Sequence, residues 1–176
     1  MIIHLSSADF KVMPWANGKG STVEMLRLVR DGRLGLRLSR AMVVEEGDFS
    51  IFPGIDRNLT VLSGPGFDLT GEGIALSARK LVPVAFPGDV PVKAEGVSAP
   101  SEDFNVMWDR GFPAPQVWVQ GAGDIPAGSG VLALETGLIA AREVARYDLI
   151  LADQALVSDC SVMVVRSAIL DSLGQQ

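Results

Sequence analysis

Short apolar runs alternate with polar residues along most of the chain, and turn residues separate the runs. Nineteen glycines and ten prolines punctuate the sequence, and turn signals recur roughly every 8–12 residues, as expected of a β-sandwich or β-barrel. A helical period is not sustained over about ten residues anywhere, although Leu134–Val144 leaves helix and strand open because it is rich in Ala, Leu and Glu. The pattern therefore predicts an all-β fold with less than about one-fifth helix.

The predicted strands form two series, preceded by a short turn in Asp9–Met13. The first series is Thr22–Val29, Leu36–Val43, Asn58–Leu62, Phe67–Leu69, Leu81–Phe86, Val92–Ala94 and Asp103–Trp108. The second series is Gln116–Gln120, Gly130–Leu134, Gly137–Ala140, Asp148–Leu151, Ala155–Val157 and Ser161–Arg166.

The two series resemble each other in layout. Leu81–Asp89 and Val144–Asp153 each place an Asp near a turn beside apolar strand residues, which indicates a divergent repeat of about 60–80 residues. Phe112–Pro115 is the best linker candidate because proline interrupts strand pairing. We therefore expect an N-terminal half at 1–112 and a C-terminal half at 113–170 within one globular unit, and a loose tail at 171–176.

Composition limits the classes of partner and the compartment. The chain has 176 residues, is 48% hydrophobic and carries a net charge of −6, so no nucleic-acid partner is expected. Apolar runs stay short of the roughly 18–20 residues that cross a bilayer, so no membrane partner is expected. The N-terminal residues lack the basic region of a signal peptide, and a single cysteine, Cys160, fits a reducing compartment, so we expect a cytoplasmic protein.

The inventory of chemically reactive residues is small. One histidine, His4, and one cysteine, Cys160, cannot assemble a usual transition-metal site, so neither a metal nor another cofactor is expected. The Gly-x-Ser-x-Gly motif of serine hydrolases is absent. Acid–base chemistry by carboxylates such as Glu24 or Asp56 stays open.

The segment Phe49–Arg57 contains the first binding candidates. It runs from the aromatic residues Phe49 and Phe52 through a bend at Pro53-Gly54 to the pair Asp56-Arg57. An arginine held beside an apolar strand can aim its planar guanidinium at a carboxylate in a bidentate manner. The alternative is an ordinary turn in which the Asp caps its own backbone and the Arg is solvated.

Two further segments carry polar groups in an apolar setting. In Met13–Glu24, Gly18 and Gly20 can expose amide donors, Asn17 and Thr22 add side-chain donors, and Trp15 adds a flat wall. In Asp103–Gly111, strand alternation places Asn105 opposite to the aromatic residues, which means either into a barrel lumen or out to water.

These segments together resemble the HutD/Ves family of bacterial proteins. The resemblance rests on Trp15–Thr22, Arg37–Ser39, Phe49–Arg57 and Phe104–Met107, and it spans roughly residues 10 to 165. It implies a cupin fold of two β-barrel or jelly-roll halves, a link to histidine utilisation, and regulation through binding of a pathway intermediate, formylglutamate. Ves members are described as stress-associated.

The chain departs from the family and from metal-binding cupins in two respects. Lys19 stands where the family usually has glycine, next to the glycine loop. Metal-binding cupins carry two or three histidines and a glutamate on facing strands, and this chain has none at the matching positions near Asp56–Leu62 or Asp89–Lys93. The resemblance therefore implies a cupin cavity without its metal.

We interpret the chain as a metal-free bicupin that binds a small anionic metabolite. Arg57 is expected to hold a carboxylate and Asp56 to orient Arg57. The remaining expected ligand-binding residues are Asn17, Thr22, Gly18 and Gly20 as donors, Trp15 and Phe52 as walls, and Asn105 for an amide or formyl group. Two other classes stay open: a metal-independent isomerase or lyase using Glu24 and Asp56, and a protein-interaction module without a ligand. A homodimer also stays open.

Overall fold

The computed structural model describes residues 1–15, 18 and 20–175, with residues 174 and 175 described by their backbone only. Within these residues the chain forms nineteen strands and one 3-10 helix, Leu170–Gln175. The strands are β1 (Ile2–Leu5), β2 (Lys11–Pro14), β3 (Ser21–Arg30), β4 (Arg33–Val43), β5 (Gly47–Asp48), β6 (Ile55–Ser63), β7 (Phe67–Gly71), β8 (Ile74–Ala78), β9 (Val84–Pro87), β10 (Val92–Glu95), β11 (Ser101–Asp109), β12 (Gln116–Gln120), β13 (Gly123–Ile125), β14 (Ser129–Ala133), β15 (Gly137–Ile139), β16 (Arg142–Val144), β17 (Leu149–Ala152), β18 (Leu156–Ser158) and β19 (Val162–Arg166).

The all-β prediction is confirmed, because the described residues contain no α-helix. The segment Leu134–Val144 forms the hairpin β15–β16. Its two turn residues, Ala140 and Ala141, have φ angles of 52° and 58°, which is the backbone of a type I′ turn. Hairpin pairing and packing of Ile139 and Val144 into the core therefore override the helical preference of Ala, Leu and Glu.

Several predicted boundaries differ from the structure. The turn expected in Asp9–Met13 ends early, because β2 begins at Lys11. Strand β9 begins at Val84 and not at Leu81, whose φ of 61° breaks the extended backbone. The tail expected at 171–176 overlaps the 3-10 helix Leu170–Gln175. The first residue of this helix, Leu170, is fully buried, and Arg166 donates a hydrogen bond to Asp171 over 3.0 Å.

The chain divides into two compact units. The first, which we call the cavity unit, is Lys11–Phe112. It consists of a six-stranded antiparallel sheet in the order β2-β3-β4-β11-β6-β9 and a four-stranded sheet in the order β5-β10-β7-β8. Both sheets contribute residues to one hydrophobic core in this unit: Val43, Leu59, Val61, Phe67, Leu69, Ala78, Phe86, Val92 and Ala94. In both sheets the strand order is open and does not close on itself.

The second unit, which we call the terminal unit, joins Met1–Phe10 to Pro113–Gln176. Its sheets have the orders β1-β17-β14-β19-β12 and β13-β18-β15-β16. The first ten residues, which the sequence analysis assigned to the N-terminal half, belong here because β1 pairs with β17 along its whole length. His4 Nε2 lies 2.8 Å from Asp148 Oδ2, and Cys160 is buried in the core.

The register of the six-stranded sheet brings distant residues into rows. The hairpin β3–β4 turns at Asp31-Gly32, where both φ angles are positive. Strand β11 then pairs with β4 on one side and with β6 on the other. Met107 consequently lies between Arg37 of β4 and Arg57 of β6. Since neighbouring strands are about 4.8 Å apart, the α-carbons of the two arginines are roughly 10 Å apart on the same face.

Gly66 offers a test of the turn that leads from β6 into β7. Its φ is +81°, and a β-carbon there would lie 2.1 Å from the carbonyl oxygen of Ala78. Gly73 has a similar φ of +70° but open space around the position, so Gly73→Ala is a matched control. We expect Gly73→Ala to cost about 1–2 kcal/mol for the left-handed backbone alone, and Gly66→Ala to cost about 1–3 kcal/mol more because of overpacking. Denaturant unfolding measures both, and equal losses would contradict the close approach of β7 and β8 at this turn.

Candidate functional site

A cavity of about 440 Å³ opens on the inner face of the six-stranded sheet. Its volume lies within the range of small-molecule sites. The residues that line it all belong to the cavity unit: Trp15, Thr22, Arg37, Ser39, Ala41, Val43, Asp48, Phe49, Ser50, Phe52, Arg57, Asp103, Asn105 and Met107. Strand alternation explains the set, because β4 and β11 each contribute every second residue.

Arg57 is the most buried cation of the cavity wall, with 7% of its surface exposed. Its Nη2 donates to Asn105 Oδ1 over 2.7 Å. Its Nη1 reaches the backbone oxygen of Ser50 only at 3.5 Å. Among the described residues, its Nε has no hydrogen-bond partner. A buried donor without a partner costs free energy, so this N–H is the uncompensated part of the guanidinium group.

Three aromatic rings surround the guanidinium group of Arg57. The distances from its Cζ to the ring centroids are 5.1 Å for Phe49, 5.6 Å for Phe52 and 5.2 Å for Phe86. The rings exclude water from the guanidinium group and stabilise its charge by cation–π attraction. Burial lowers the pKa of Arg57 to about 10, Asp103 opposes this shift, and the charge of Arg37 adds to it. Arg57 therefore stays cationic at neutral pH in an environment of low polarity.

Asp103 is the carboxylate that accompanies Arg57, and Asn105 connects the two. Asn105 Nδ2 donates to Asp103 Oδ1, while the amide oxygen accepts from Arg57. Only 1% of Asp103 and 6% of Asn105 is exposed. Burial raises the pKa of Asp103 to about 7, while Arg57 and the Asn105 hydrogen bond pull it down and Glu102 adds to the rise. The carboxyl group is therefore partly protonated at neutral pH.

A second arginine, Arg37, faces the same cavity. Its Nε donates to Glu24 Oε2 over 2.6 Å, and its Nη1 lies 3.6 Å from Met107 Sδ. Both members of the Arg37–Glu24 pair are largely buried. Arg37 and Arg57 thus lie on either side of Met107 in one row across the sheet. Arg37 is already paired with Glu24.

The glycine-rich segment positions Trp15. The indole Nε1 donates to Thr22 Oγ1 over 2.9 Å, and the amide of Gly18 donates to the carbonyl of Trp15 over 3.0 Å. A β-carbon on Gly20 would lie 2.9 Å from the indole ring. The Gly18 amide expected to donate to a ligand is therefore engaged within the loop. Asn17 and Lys19 lie outside the described residues.

Asp56 does not orient Arg57, contrary to expectation. Both residues lie in strand β6, so their side chains point to opposite faces of the sheet. Asp56 accepts instead from Arg110, over 2.7 Å from Nη2 and 3.0 Å from Nε. Arg110 also donates to Asp89, and this hydrogen bond lowers the pKa of Asp89 to about 2. Asp56 therefore belongs to an exposed ionic cluster outside the cavity lining.

The main residues that sequence reasoning missed are Asp103, Arg37 and Ser39. Asp103 is two residues before Asn105, so the same alternation that places Asn105 in the cavity also places Asp103 there. Arg37 and Ser39 alternate in the same way on β4. The sequence around Phe86 gives no indication that it contacts Arg57, because the two residues come together only through the pairing of β9 with β6.

Two general features of the described residues bear on function. They contain no cluster of three or more His, Cys, Asp or Glu side chains that could hold a metal ion. None of their helices is long and apolar enough to cross a membrane.

Comparison with known proteins decides the family. The HutD family model matches residues 7–169. The chain belongs to the HutD family. This confirms the resemblance drawn from the motif segments.

Among curated proteins, the chain is 36% identical over 123 residues to an uncharacterized 21.2 kDa protein in the hutC 3′ region of Pseudomonas putida, covering 66% of this chain and 64% of that protein. It is 34% identical over 116 residues to protein Ves of Cronobacter sakazakii, covering 63% and 64%. The chain thus spans about 64% of the length of the curated relatives it matches.

Solved structures show the same fold. HutD from Pseudomonas fluorescens SBW25, in a formate condition, has a TM-score of 0.84 at 27% identity, covering 94% of this chain and 97% of that chain. A conserved protein of unknown function from Pseudomonas aeruginosa PAO1 has a TM-score of 0.81 at 28% identity, covering 94% and 98%. A bacterial pirin from Escherichia coli in complex with nickel(II) shares only the fold, with a TM-score of 0.63 at 11% identity, covering 95% and 99%. The fold is cupin-like and all-β.

The buried carboxyl group of Asp103 predicts a pH dependence of stability. Its folded pKa of about 7 lies above its ordinary value of 3.8, so the folded chain keeps a proton that the unfolded chain releases. This contribution is complete below about pH 4 and is lost as the pH rises towards 7. We expect Asp103→Asn to remove this pH dependence. The free energy of unfolding of the variant, relative to that of the wild type, should therefore rise by on the order of a few kcal/mol from about pH 4 to about pH 7.

Denaturant unfolding at several pH values between about 4 and 8 measures this effect. Asp31→Asn is a matched control, because Asp31 is exposed in the β3–β4 turn, and it should keep the slope of the wild type. An unchanged slope in Asp103→Asn would show that Asp103 is ionised throughout.

Proposed function

We propose that the cavity unit binds a small metabolite that carries a carboxylate, and that this binding gives the chain a regulatory role in histidine utilisation. The observation that carries the proposal is the Nε of Arg57, a buried donor without a partner among the described residues in a cavity wall. We further propose that the two units correspond to the two halves of a bicupin.

A carboxylate suits the free edge of Arg57. Nη2 is committed to Asn105, whereas Nε is free of described partners and Nη1 makes only a long contact. Because the Nε–H and Nη1–H groups point to different sides of the guanidinium, one carboxylate oxygen accepts a charge-assisted hydrogen bond from Nε. Asn105 and the surrounding rings fix the guanidinium before the ligand arrives, so little conformational entropy is lost on binding.

The opposite end of the cavity favours a second polar group on the ligand. The Arg37–Glu24 pair offers both donors and an acceptor, and the buried Ser39 lies opposite Asn105 in the adjacent row of cavity-facing residues. A distance of roughly 10 Å between the α-carbons of Arg37 and Arg57 suits a short dicarboxylate or an acylated amino acid. N-formylglutamate, which has two carboxylates and a formyl amide, has this pattern.

One role assigned from sequence changes in this proposal, and three stay. Asn105 was expected to take the formyl group, but its oxygen and its amide nitrogen are engaged with Arg57 and Asp103, so we assign it to holding Arg57. Asn17 stays a proposed donor to the ligand. Trp15 and Phe52 stay proposed walls, since both line the cavity.

The relatives support a place in histidine utilisation. The Pseudomonas putida relative is a protein of the hutC 3′ region. Arg57 and Asn105 line one cavity and not a flat outer face, which favours a ligand over a protein-interaction module.

One observation favours an enzyme as the second candidate. Asp103 lines the cavity, and its pKa of about 7 is the value expected of a general acid or base. Glu24 and Asp56, the pair considered from sequence, do not meet: Glu24 is paired with Arg37 and Asp56 with Arg110. Turnover of a bound acid that Asp103→Asn abolishes would favour this candidate.

Replacing Arg57 tests carboxylate binding. We expect wild-type protein at one hundred times the dissociation constant of a bound carboxylate to gain about 2.7 kcal/mol, or roughly 5–10 °C in melting temperature. Arg57→Ala should abolish this gain, and Arg57→Lys should recover part of it, because an ammonium group cannot reproduce the planar fork. A thermal-shift screen with formate, glutamate, glutarate and N-formylglutamate measures it, with the neutral glutaramide as control.

Arg110→Ala is the matched control variant, because Arg110 is an ion-paired arginine of the same unit that lies outside the cavity lining. It should keep the full ligand-induced shift. If Arg57→Ala lowers only the melting temperature of the free protein and leaves ligand-induced stabilisation unchanged, Arg57 has a structural role alone and the proposed function fails.

A further inference from the structure

Three buried polar groups form one chain in the cavity wall. Arg57 donates to Asn105, and Asn105 donates to Asp103. Both Arg57 and Asp103 also line the cavity. A ligand at Arg57 therefore enters a space that already contains a carboxyl group connected to the same guanidinium.

A ligand carboxylate bound at Arg57 would be repelled by an ionised Asp103. Two carboxylates that share a site of low polarity do not both ionise easily, because each raises the pKa of the other. One guanidinium balances one negative charge. Resting on the proposed function, we propose that binding of a carboxylate at Arg57 is coupled to uptake of one proton by Asp103, and that Asp103 is thus a positioning residue whose charge sets the affinity of the site.

The other charged groups around Asp103 leave this conflict in place. They come from β3, β4, β5 and β11. Arg37 is paired with Glu24, and Glu102 is paired with Arg40. Asp48 of β5 also lines the cavity, but it is exposed, so solvent screens its charge. The Arg37–Glu24 pair has no net charge. Glu102 precedes Asp103 on β11, so it points to the opposite face of the sheet. Asp103 is therefore the carboxyl group that faces the charge on Arg57.

In the free protein, Asp103 already takes up a proton near neutral pH. The pKa of Asp103 is raised to about 7 by burial, so proton uptake near neutral pH costs little. The proton adds to a carboxylate oxygen of Asp103 and comes from solvent. The amide of Asn105 can keep its hydrogen bond to the other oxygen, and the orientation of Arg57 is then maintained.

The coupling gives the site a discrimination that a fixed cation lacks. Affinity for a carboxylate is highest when Asp103 is protonated and falls as the pH rises above 7, whereas a neutral amide provokes no proton uptake. Each unit by which the ligand raises the pKa of Asp103 corresponds to about a tenfold change in dissociation constant.

Calorimetric titration with N-formylglutamate tests the proposal. Its carboxyl groups resemble an α-carboxyl and a glutamate side chain, with pKa values of about 3.5 and 4.3, so the ligand stays fully ionised from pH 6 to 8.5. We expect the dissociation constant of the wild type to rise about tenfold over this range. Titrations at about pH 7.5 in buffers of different ionisation enthalpy should show net uptake of protons.

Asp103→Asn keeps the shape and the acceptor for Asn105 but cannot change charge. It should bind N-formylglutamate as tightly at pH 8.5 as the wild type does at pH 6, without proton uptake. Asp31→Asn should retain the slope of the wild type. A purely structural role for Asp103 predicts the opposite, namely weaker binding in Asp103→Asn at every pH.

The outcomes separate the two proposals. Equal dissociation constants at pH 6 and 8.5 with no proton uptake would overturn the coupling and leave the proposed function intact. No binding of N-formylglutamate at any pH, together with no stabilisation by the other carboxylates, would overturn both. The proton count on the wild-type chain decides the coupling even if Asp103→Asn fails to fold.

Discussion

Burial of the Arg57 guanidinium is the constraint on which the candidate site depends. A cation removed from water is costly unless hydrogen bonds and opposite charge compensate it. Here Asn105 accepts one of its N–H groups, Asp103 contributes opposite charge, and three phenylalanine rings surround it. The compensation is incomplete, because Nε has no partner among the described residues. The fold therefore maintains a desolvated cation with one donor unpaired among the described residues, and the proposed anion site depends on this property.

Strand alternation and register build this arrangement. Along β11, Asp103, Asn105 and Met107 face the cavity while the intervening residues are buried on the other face. Pairing of β11 with both β4 and β6 then brings Arg37 and Arg57 into one row. A one-residue slip of β11 would turn its three cavity-facing residues away. The apolar core shared by both sheets of the cavity unit therefore also fixes the chemistry of the site.

Much of this could be predicted from sequence, and the failures have identifiable causes. Local alternation was enough to predict β3, β4 and β11 and the opposite facing of Asn105 and the aromatic residues. The same alternation applied to β6 would have separated Asp56 from Arg57, but the Pro53-Gly54 bend favoured a turn that includes both. The partners of Asp56 and Arg57 lie 54 and 48 positions away in sequence. Such pairings depend on strand order, which a single sequence does not specify.

The terminal unit shows the same limit. Its hairpin at Ala140-Ala141 has a backbone that alanine rarely adopts, so the sequence left helix and strand open for this segment. Strand β1 joins this unit through pairing with β17, at the far end of the chain. Only the tertiary structure reveals either feature.

The most direct test of the account is a crystal structure of the chain grown with N-formylglutamate. The account predicts a ligand carboxylate in the cavity, with one oxygen accepting a hydrogen bond from Arg57 Nε and with Asn105 still bonded to Nη2. A ligand bound elsewhere, or a ligand in the cavity whose carboxylates make no contact with Arg57, would contradict it.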